Sequence, residues 1–164
     1  MRVIRLKPTD NNVIAAGLEN GTIQLWDVLG NVAQKTLFSD NDRVFDLDFT
    51  PDSRYLFSGH GSGQIRQWDL ESSEKKPIRR ILLSPTSFSI AALGIYQPNP
   101  NTSRVVIAGQ YNKLLLWDWA AGAVYNVIPK PPDNVPQSAQ AKHYSQFRAS
   151  ITTSKVWRSL EIGL

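Results

Sequence analysis

Short apolar runs, separated by Gly, Pro, Asn and Asp, make up the first 128 residues of the chain. Runs of this kind that are rich in Val, Ile, Leu and Phe are typical of β-strands. Some are continuously apolar, as in strands buried on both faces, and others alternate between apolar and polar residues. We therefore predict three sets of four strands: residues 1–6, 13–17, 22–28 and 31–38; residues 44–49, 55–59, 64–70 and 78–83; and residues 89–96, 104–109, 113–119 and 123–128.

The second and third strands of each set repeat nearly the same sequence. The copies span residues 13–27, 55–69 and 105–118, and each closes on a Trp-Asp pair. The three tryptophans lie 42 and 49 residues apart, and a proline after each first strand recurs at intervals of 43 and 47 residues. This period is typical of repeated four-stranded units. The repeated residues are Trp26-Asp27, Trp68-Asp69 and Trp117-Asp118, with Pro8, Pro51 and Pro98.

The tight turn inside each copy supports the repeat on physical grounds. Counted back from the tryptophan, the same turn position holds Gly21, Gly63 and Asn112. Glycine and asparagine adopt a left-handed backbone more readily than other residue types do. We therefore predict a hairpin turn with a positive φ at this position in all three copies.

The repeat pattern stops after residue 128. Residues 129–136 contain four prolines, which cannot lie in a central strand and indicate a linker. We predict three repeat units, at about 1–38, 39–84 and 85–128, followed by a Pro-rich linker and a basic tail over 129–164. Trp157-Arg158 falls near the place of a fourth Trp-Asp pair, so a degenerate fourth unit is the alternative to an unfolded or partner-dependent tail.

These repeats resemble the WD40 repeat family of β-propellers over about residues 3–128. The Trp-Asp pairs, the proline turns and the strand–turn–strand copies carry the resemblance. It implies an all-β fold of about three four-stranded antiparallel blades, with each Trp-Asp pair at the end of a third strand. It also implies a non-catalytic scaffold that binds a protein or peptide on the propeller rim, because members of the family mostly act as assembly platforms.

Two departures from the family pattern concern a hydrogen-bond network that many members share. The family often has Gly-His before the first strand of a blade, where the second blade here has Ser39-Asp40. Members often have Asp just before the turn Gly, where this chain has Asn20, Ser62 and Tyr111. The usual network of His, Asp and Trp therefore cannot form. We expect packing of Trp, Ile and Val to hold the blades together instead.

Three blades are too few for a closed ring, since closed propellers usually have four to eight. An open arrangement leaves sheet edges and apolar faces exposed. We therefore expect an incomplete or open propeller that completes a ring by self-association or with a second chain. A truncated remnant of a longer propeller is a further alternative, and it predicts aggregation of the chain when it is expressed alone.

Composition narrows the function classes. The chain has no cysteine, which excludes disulfides and thiolate metal sites. It shows no signal-peptide pattern and no apolar run long enough for a membrane span, so we expect a cytoplasmic protein. The net charge of +4 comes mostly from the tail: residues 1–128 hold 13 Lys/Arg against 12 Asp/Glu, and residues 129–164 hold 5 against 2.

This charge distribution disfavours nucleic acid as the partner, because a nucleic-acid-binding body usually carries its own basic surface. Nucleic-acid or anionic-membrane binding through the basic tail and the cluster at 75–80 remains the alternative function. The four cations of that cluster are first interpreted as protection of an exposed sheet edge against pairing. They are Lys75, Lys76, Arg79 and Arg80.

No group of residues predicts catalysis, a cofactor or a metal site. The two histidines, His60 and His143, have no second ligand at metal spacing. The glycine-rich stretch 59–63 lacks the Lys-Ser/Thr ending of a phosphate loop and is interpreted as a hairpin turn. We therefore expect no enzymatic activity and no bound cofactor.

One pair of carboxylates stands out, at Asp46 and Asp48. They lie two residues apart on one face of a predicted strand, and paired carboxylates can serve general acid–base chemistry. A solvated face, or contact with the neighbouring Arg43, is the preferred interpretation.

The candidate partner-binding residues lie on one rim of the expected propeller. In the family, the turns between second and third strands share that rim with the loops that lead into the first strands. The sequence places His60 in such a turn and Arg43 in such a loop. Clustered aromatic and Arg side chains are typical of protein-binding hot spots. We predict partner binding by Arg43, His60, Phe88 and Tyr111.

Overall fold

The computed structural model describes residues 1–38, 40–82, 90–97, 101, 104–109 and 114–126. These residues form three four-stranded antiparallel sheets. Sheet 1 contains β1 (Val3–Lys7), β2 (Asp10–Gly17), β3 (Ile23–Asp27) and β4 (Val32–Leu37). Sheet 2 contains β5 (Val44–Phe49), β6 (Tyr55–His60), β7 (Gln64–Asp69) and β8 (Arg79–Leu82). Sheet 3 contains β9 (Ile90–Tyr96), β10 (Arg104–Gly109), β11 (Leu114–Asp118) and β12 (Ala123–Asn126).

Each sheet is a meander, in which every strand pairs with the strand that follows it in the chain. The first strands, β1, β5 and β9, lie at corresponding edges of their sheets, and β5 packs against both β1 and β9. The sheets therefore lie side by side in the order 1, 2, 3. Within the described ranges they do not close a ring, which agrees with the expected open or incomplete propeller.

The observed strands follow the predicted ones to within a few residues. β5 and β10 have the predicted bounds. The largest difference is at β2, which begins at Asp10 rather than at Val13. The cause is a tight turn: Lys7 pairs with Asp10, so only Pro8 and Thr9 lie between the two strands.

The predicted left-handed turn position is confirmed where the structure describes it. Gly21 and Gly63 both have a φ of 80°. Their turns are closed by backbone hydrogen bonds from Gly21 to Leu18 and from Gly63 to His60. Asn112, the third residue of this set, lies outside the described residues.

The core consists of two apolar layers, one on each side of sheet 2. The layer between sheets 1 and 2 includes Trp68, and the layer between sheets 2 and 3 includes Trp117. Both tryptophans are completely buried. Because each layer takes side chains from two sheets, a sheet of this fold is stabilised mainly by its neighbours. Truncating a buried side chain of this size to Ala typically costs about 3–5 kcal/mol.

Two glycines allow the sheets to approach closely. A Cβ atom on Gly17 would lie 2.6 Å from Cγ1 of Val44 in the next sheet. A Cβ atom on Gly59 would lie 2.4 Å from Cγ2 of Ile90, again in the next sheet. Gly17 and Gly59 hold the same place in their sheets, since they pair with Ile23 and Ile65 respectively. The two sheet contacts thus repeat one geometry.

Candidate functional site

The predicted rim exists at the junction of sheets 1 and 2. The turn between β2 and β3 meets the loop that leads into β5, where the N–H of Val44 donates to the carbonyl of Leu18 at 3.3 Å. The turn between β6 and β7 meets the same loop, where the N–H of Gly61 donates to the carbonyl of Arg43 at 3.0 Å. Two such turns and one loop therefore share this rim.

Arg43 lies on this rim with its side chain 62% exposed. Its Nε atom lies 3.1 Å from Oε2 of Glu19, and Arg2 donates a hydrogen bond to Oε1 of the same carboxylate. The hydrogen bond from Arg2 lowers the pKa of Glu19. The guanidinium of Arg2 also lies 4.8 Å from the ring centroid of Phe45. We call Arg2, Glu19, Arg43 and Phe45 the rim cluster.

The prediction that His60 lies in a turn and faces a partner is wrong. His60 is the last residue of β6, and its side chain is fully buried. It has this position because the hairpin turn is shorter than the glycine-rich sequence suggests and comprises only residues 61–63. A completely buried imidazole cannot contact a partner on the rim.

His60 instead belongs to a buried chain of hydrogen bonds. The indole N–H of Trp68 donates to Oγ of Ser58 at 2.8 Å, and Oγ of Ser58 lies 2.7 Å from Nε2 of His60. Nδ1 of His60 lies 2.9 Å from the carbonyl oxygen of Asp42. A carbonyl only accepts, so Nδ1 carries the proton and Nε2 accepts from the Ser58 hydroxyl. Every donor along this chain thus has an acceptor when His60 is neutral.

Asp42 connects this hydrogen-bond network to the rim. Its carboxylate accepts hydrogen bonds from the backbone N–H and the hydroxyl of Ser62, at 3.1 Å and 2.5 Å. It also accepts one from Nη2 of Arg66 at 3.1 Å. Burial, together with the charge of Arg66, lowers the pKa of His60 to about 4. The site therefore favours a neutral imidazole whose Nε2 accepts from the Ser58 hydroxyl.

This network replaces the one that sequence analysis judged impossible in its usual version. Here the imidazole comes from the end of the second strand and the aspartate from the loop before the first strand. The signal was present in the sequence: Ser58 and His60 are two apart on one strand, and therefore share a face. Pairing places Ala16 and Ile107 at the position of Ser58 in the other sheets. The network therefore belongs to sheet 2.

Asp46 and Asp48 are neither solvated nor paired with Arg43, so that interpretation was wrong. Oδ1 of Asp46 lies 2.6 Å from Nη2 of Arg5 in sheet 1, and its Oδ2 accepts from the N–H of Leu93 in sheet 3 at 3.0 Å. Oδ2 of Asp48 accepts from the N–H of Ile95 at 2.8 Å. These carboxylates cap the edge of β9 and join all three sheets. The oxygens of both carboxylates thus have backbone N–H or Arg partners.

The Trp-Asp pairs have a structural arrangement. Trp68 and Trp117 are buried, whereas Trp26 is half-buried. Each aspartate accepts a hydrogen bond from a backbone N–H in the turn that follows, at 2.9–3.1 Å. These bonds join Gly30 to Asp27, Glu71 to Asp69, and Ala120 to Asp118.

The remaining predicted residues fall in two groups. Phe88 and Tyr111 lie outside the described residues. In the basic cluster at 75–80, Arg79 donates to the carbonyl of Trp119 in sheet 3, and Arg80 pairs with Asp40. Two of its cations are thus engaged within the molecule. Across the described ranges, no three His, Asp or Glu side chains are grouped to hold a metal ion, and no helix could span a membrane.

Comparison with known proteins identifies the fold and the repeat. Residues 32–69, which run from β4 to the end of β7, match the family model "WD domain, G-beta repeat". The structure superimposes on the β-propeller domain of Cps50 (Swd1) from Myceliophteria thermophila with a TM-score of 0.67 and 17% identity, over 84% of this chain and 41% of that one. This chain belongs to the WD40 repeat family. A WD40 propeller is generally a non-catalytic scaffold for protein interactions.

Curated relatives support the WD40 assignment. "Restriction of telomere capping protein 1" from Candida dubliniensis is 40% identical over 73 residues, which cover 43% of this chain. "WD repeat and SOCS box-containing protein 1" from Takifugu rubripes is 30% identical over 110 residues, or 66% of this chain. The matched segments make up 7% and 24% of these two proteins, so the chain spans a small part of their length.

Proposed function

We propose that this chain is a non-catalytic protein-interaction scaffold that binds a protein or peptide on the rim between sheets 1 and 2. The rim cluster is the observation that carries the proposal. It combines two guanidinium groups and an aromatic ring at the junction of two sheets. Arg and aromatic side chains are enriched among the residues that dominate protein-binding energy.

The charge of the rim cluster favours an acidic group on the partner. One carboxylate, that of Glu19, lies between the guanidiniums of Arg2 and Arg43, so the cluster carries an excess positive charge. Exposed ion pairs of this kind contribute about 0–1 kcal/mol to stability. Arg43 can therefore exchange Glu19 for a carboxylate of a partner at little cost to the fold.

Pull-down from cell extract tests this proposal. The wild-type chain is compared with Arg43→Ala and with Arg54→Ala as a matched control. Arg54 is also an exposed Arg in ion pairs, but it lies beside the turn between β5 and β6, at the opposite end of sheet 2. We expect proteins captured by the wild type to be lost with Arg43→Ala and retained with Arg54→Ala. Equal capture of these proteins by both variants would show that Arg43 on the rim does not contribute to partner binding.

The alternative function requires free cations, and the described residues lend it less support. Arg79 and Arg80 of the cluster at 75–80 already bond to Trp119 and Asp40. Binding of nucleic acid or anionic vesicles through residues 129–164 would weaken steeply with salt. A flat salt response, or unchanged binding without residues 129–164, would exclude this alternative.

A further inference from the structure

The residues that follow β4 contact the outer part of sheet 2. The backbone N–H of Phe38 donates to the carbonyl of Lys75 at 3.0 Å, in the loop between β7 and β8. The carboxylate of Asp40 pairs with the guanidinium of Arg80 on β8, the outermost strand of sheet 2. These contacts place residues from both sheets side by side along the outer edge of their junction.

Two arginines lie directly opposite each other at this edge. Arg66 on β7 pairs with Arg80 on β8, so their side chains are on the same face of sheet 2. Like charges directly opposite each other in a sheet repel and weaken the pairing. Among the described residues, each guanidinium is paired with one carboxylate: Asp42 lies 3.1 Å from Arg66, and Asp40 bonds Arg80.

Arg66 is buried and still has donor capacity left. Its Nε and Nη2 atoms each lie 3.2 Å from Oε1 of Gln64, whereas its Nη1 atom has no hydrogen-bond partner in the described ranges. The carboxylate of Asp42, which balances its charge, also accepts from Ser62. Because a buried charge is costly unless it is fully paired, this arginine pair favours a further negative charge beside it.

Exposed apolar side chains flank the arginine pair. Leu82 lies two residues from Arg80 on β8, so it shares the same face of the strand, and it is 54% exposed. Phe38 is 55% exposed, and Nζ of Lys75 lies 5.9 Å from its ring centroid. Exposed apolar side chains rimmed by polar groups mark interaction sites. We call Phe38, Lys75, Arg80 and Leu82 the edge surface.

We propose that the edge surface binds a short acidic and apolar peptide segment of a partner protein. A carboxylate of this peptide replaces Asp40 on the guanidinium of Arg80, and its apolar side chains pack on Phe38 and Leu82. Charge complementarity identifies this occupant, because the carboxylate also places a negative charge beside Arg66.

The exchange of carboxylates costs the fold little. Asp40 is 63% exposed, and exposed ion pairs contribute little to stability. The edge surface shares no residue with the rim cluster, so it binds its peptide whether or not the rim binds a partner.

Selection of random peptides displayed on phage tests the edge surface. The library is first depleted on the Arg80→Gln variant and then selected on the wild-type full chain, which removes peptides that bind elsewhere. We expect the enriched peptides to combine Asp or Glu with Leu, Ile or Phe. In fluorescence anisotropy, their binding should weaken roughly tenfold or more with Arg80→Gln, the scale of one charge-assisted hydrogen bond. Arg54→Gln, at another exposed Arg in ion pairs, and Arg43→Ala on the rim should leave the binding unchanged.

Two further variants separate recognition from a purely structural role. Asp40→Asn removes the internal competitor for Arg80 and should tighten peptide binding by up to about fivefold, which loss of a structural ion pair would not do. Leu82→Ser should weaken binding roughly tenfold, whereas Val28→Ser, at a similarly exposed apolar position, should not change it.

The proposal is overturned if no peptide is enriched, if the enriched peptides lack Asp and Glu, or if Leu82→Ser leaves their binding unchanged. Weaker binding to Asp40→Asn would also contradict it, and loss of binding with Arg43→Ala would assign the peptides to the rim instead. If phosphatidylserine vesicles bind in a way that requires Arg80 and no peptide does, the edge surface contacts a membrane and the peptide is the wrong occupant. Urea unfolding confirms that each variant is folded, and Arg80→Met replaces Arg80→Gln should the latter misfold.

Discussion

At the scale of single residues, the buried network of sheet 2 connects a core tryptophan to the rim. Trp68, Ser58, His60 and Asp42 form one series of hydrogen bonds, in which the link from the Ser58 hydroxyl to Nε2 of His60 requires a neutral imidazole. Fully satisfied networks of this kind rigidify a core, whereas partly satisfied ones cost free energy. The network joins the core to the loop that carries Arg43, and so positions the rim.

Ser58→Ala should destabilise the chain by about 1–3 kcal/mol, because it leaves the indole N–H of Trp68 without an acceptor. Urea unfolding followed by Trp fluorescence measures the change. Ser73→Ala, at an exposed position in the loop between β7 and β8, is the matched control and should have almost no effect. Equal free energies of unfolding for the two variants would mean that the network does not stabilise the fold.

Two buried groups give the chain opposing responses to acid. The pKa of His60 is lowered from 6.5 to about 4 in the folded chain. Between these two pH values the unfolded chain therefore binds a proton that the folded chain does not bind. Stability from this group is lost as the pH falls from about 6.5 towards 4. Burial raises the pKa of Asp48 from 3.8 to about 6, so the folded chain holds a proton there that the unfolded chain releases. Stability from Asp48 is complete below pH 3.8 and is lost as the pH rises through 6.

Asp48→Asn should therefore make the chain more sensitive to acid. The amide oxygen can still accept from the N–H of Ile95. Asn does not titrate, however, so the variant lacks the stability that protonation of Asp48 adds as the pH falls. We expect the free energy of unfolding to fall more steeply between pH 6 and pH 4 than in the wild type, by up to about 1.4 kcal/mol per pH unit. Urea titrations across this range measure the slope. Parallel curves for variant and wild type would contradict the assignment.

At the scale of elements, the contacts between sheets depend on the outermost strands as well as on the apolar layers. Lys35 on β4 and Arg79 on β8 occupy equivalent places, because each pairs with the residue before the Trp of its sheet. Each donates to a carbonyl of the following sheet. Desolvation lowers the pKa of Lys35, as expected for an ammonium partly removed from water. The outermost strands β4 and β8 thus help to fix the position of the neighbouring sheet.

Lys35→Met should lower the free energy of unfolding by about 1–3 kcal/mol, since Met keeps the apolar stem but leaves the Leu70 carbonyl without its donor. Lys76→Met, at an exposed position, is the control and should change stability little. Chemical denaturation measures both. Arg79→Met should act in the same direction as Lys35→Met. If neither differs from Lys76→Met, these hydrogen bonds between sheets contribute nothing to stability.

At the scale of the whole molecule, the described residues leave the outer apolar face of sheet 1 uncovered. Ile4 and Leu6 are exposed there, whereas Leu47 and Phe49, which strand pairing places at the same positions in sheet 2, are buried. Exposed apolar surface of this kind favours association or aggregation. We therefore expect this face of sheet 1 to promote association of the chain in solution more than the remaining surface does.

Ile4→Lys should reduce light scattering by concentrated samples without lowering the free energy of unfolding. Leu47→Lys is the matched control, because it places the same charge at the equivalent but buried position of sheet 2 and should unfold the chain. Static light scattering and urea denaturation measure the two effects. Scattering that is unchanged by Ile4→Lys would show that this face of sheet 1 does not drive association.

The strands and turns could be predicted from sequence because their signals are local. Gly21 and Gly63 are needed for a positive φ, and the Trp-Asp repeat sets the register of each hairpin. His60 was misplaced because a glycine-rich stretch does not reveal how many of its residues a hairpin turn consumes. Asp46 and Asp48 were misinterpreted because their partners, Arg5 and the N–H groups of β9, lie in other sheets.

By itself, the sequence determined the class of fold and the approximate positions of the strands that the structure describes, since hydrophobic period and turn chemistry act over a few residues. Only the tertiary structure decided which polar groups meet. Whether Asp46 faces water or Arg5 depends on the packing of one sheet against the next. That packing brings together residues about 40 positions apart, whose pairing no local pattern encodes.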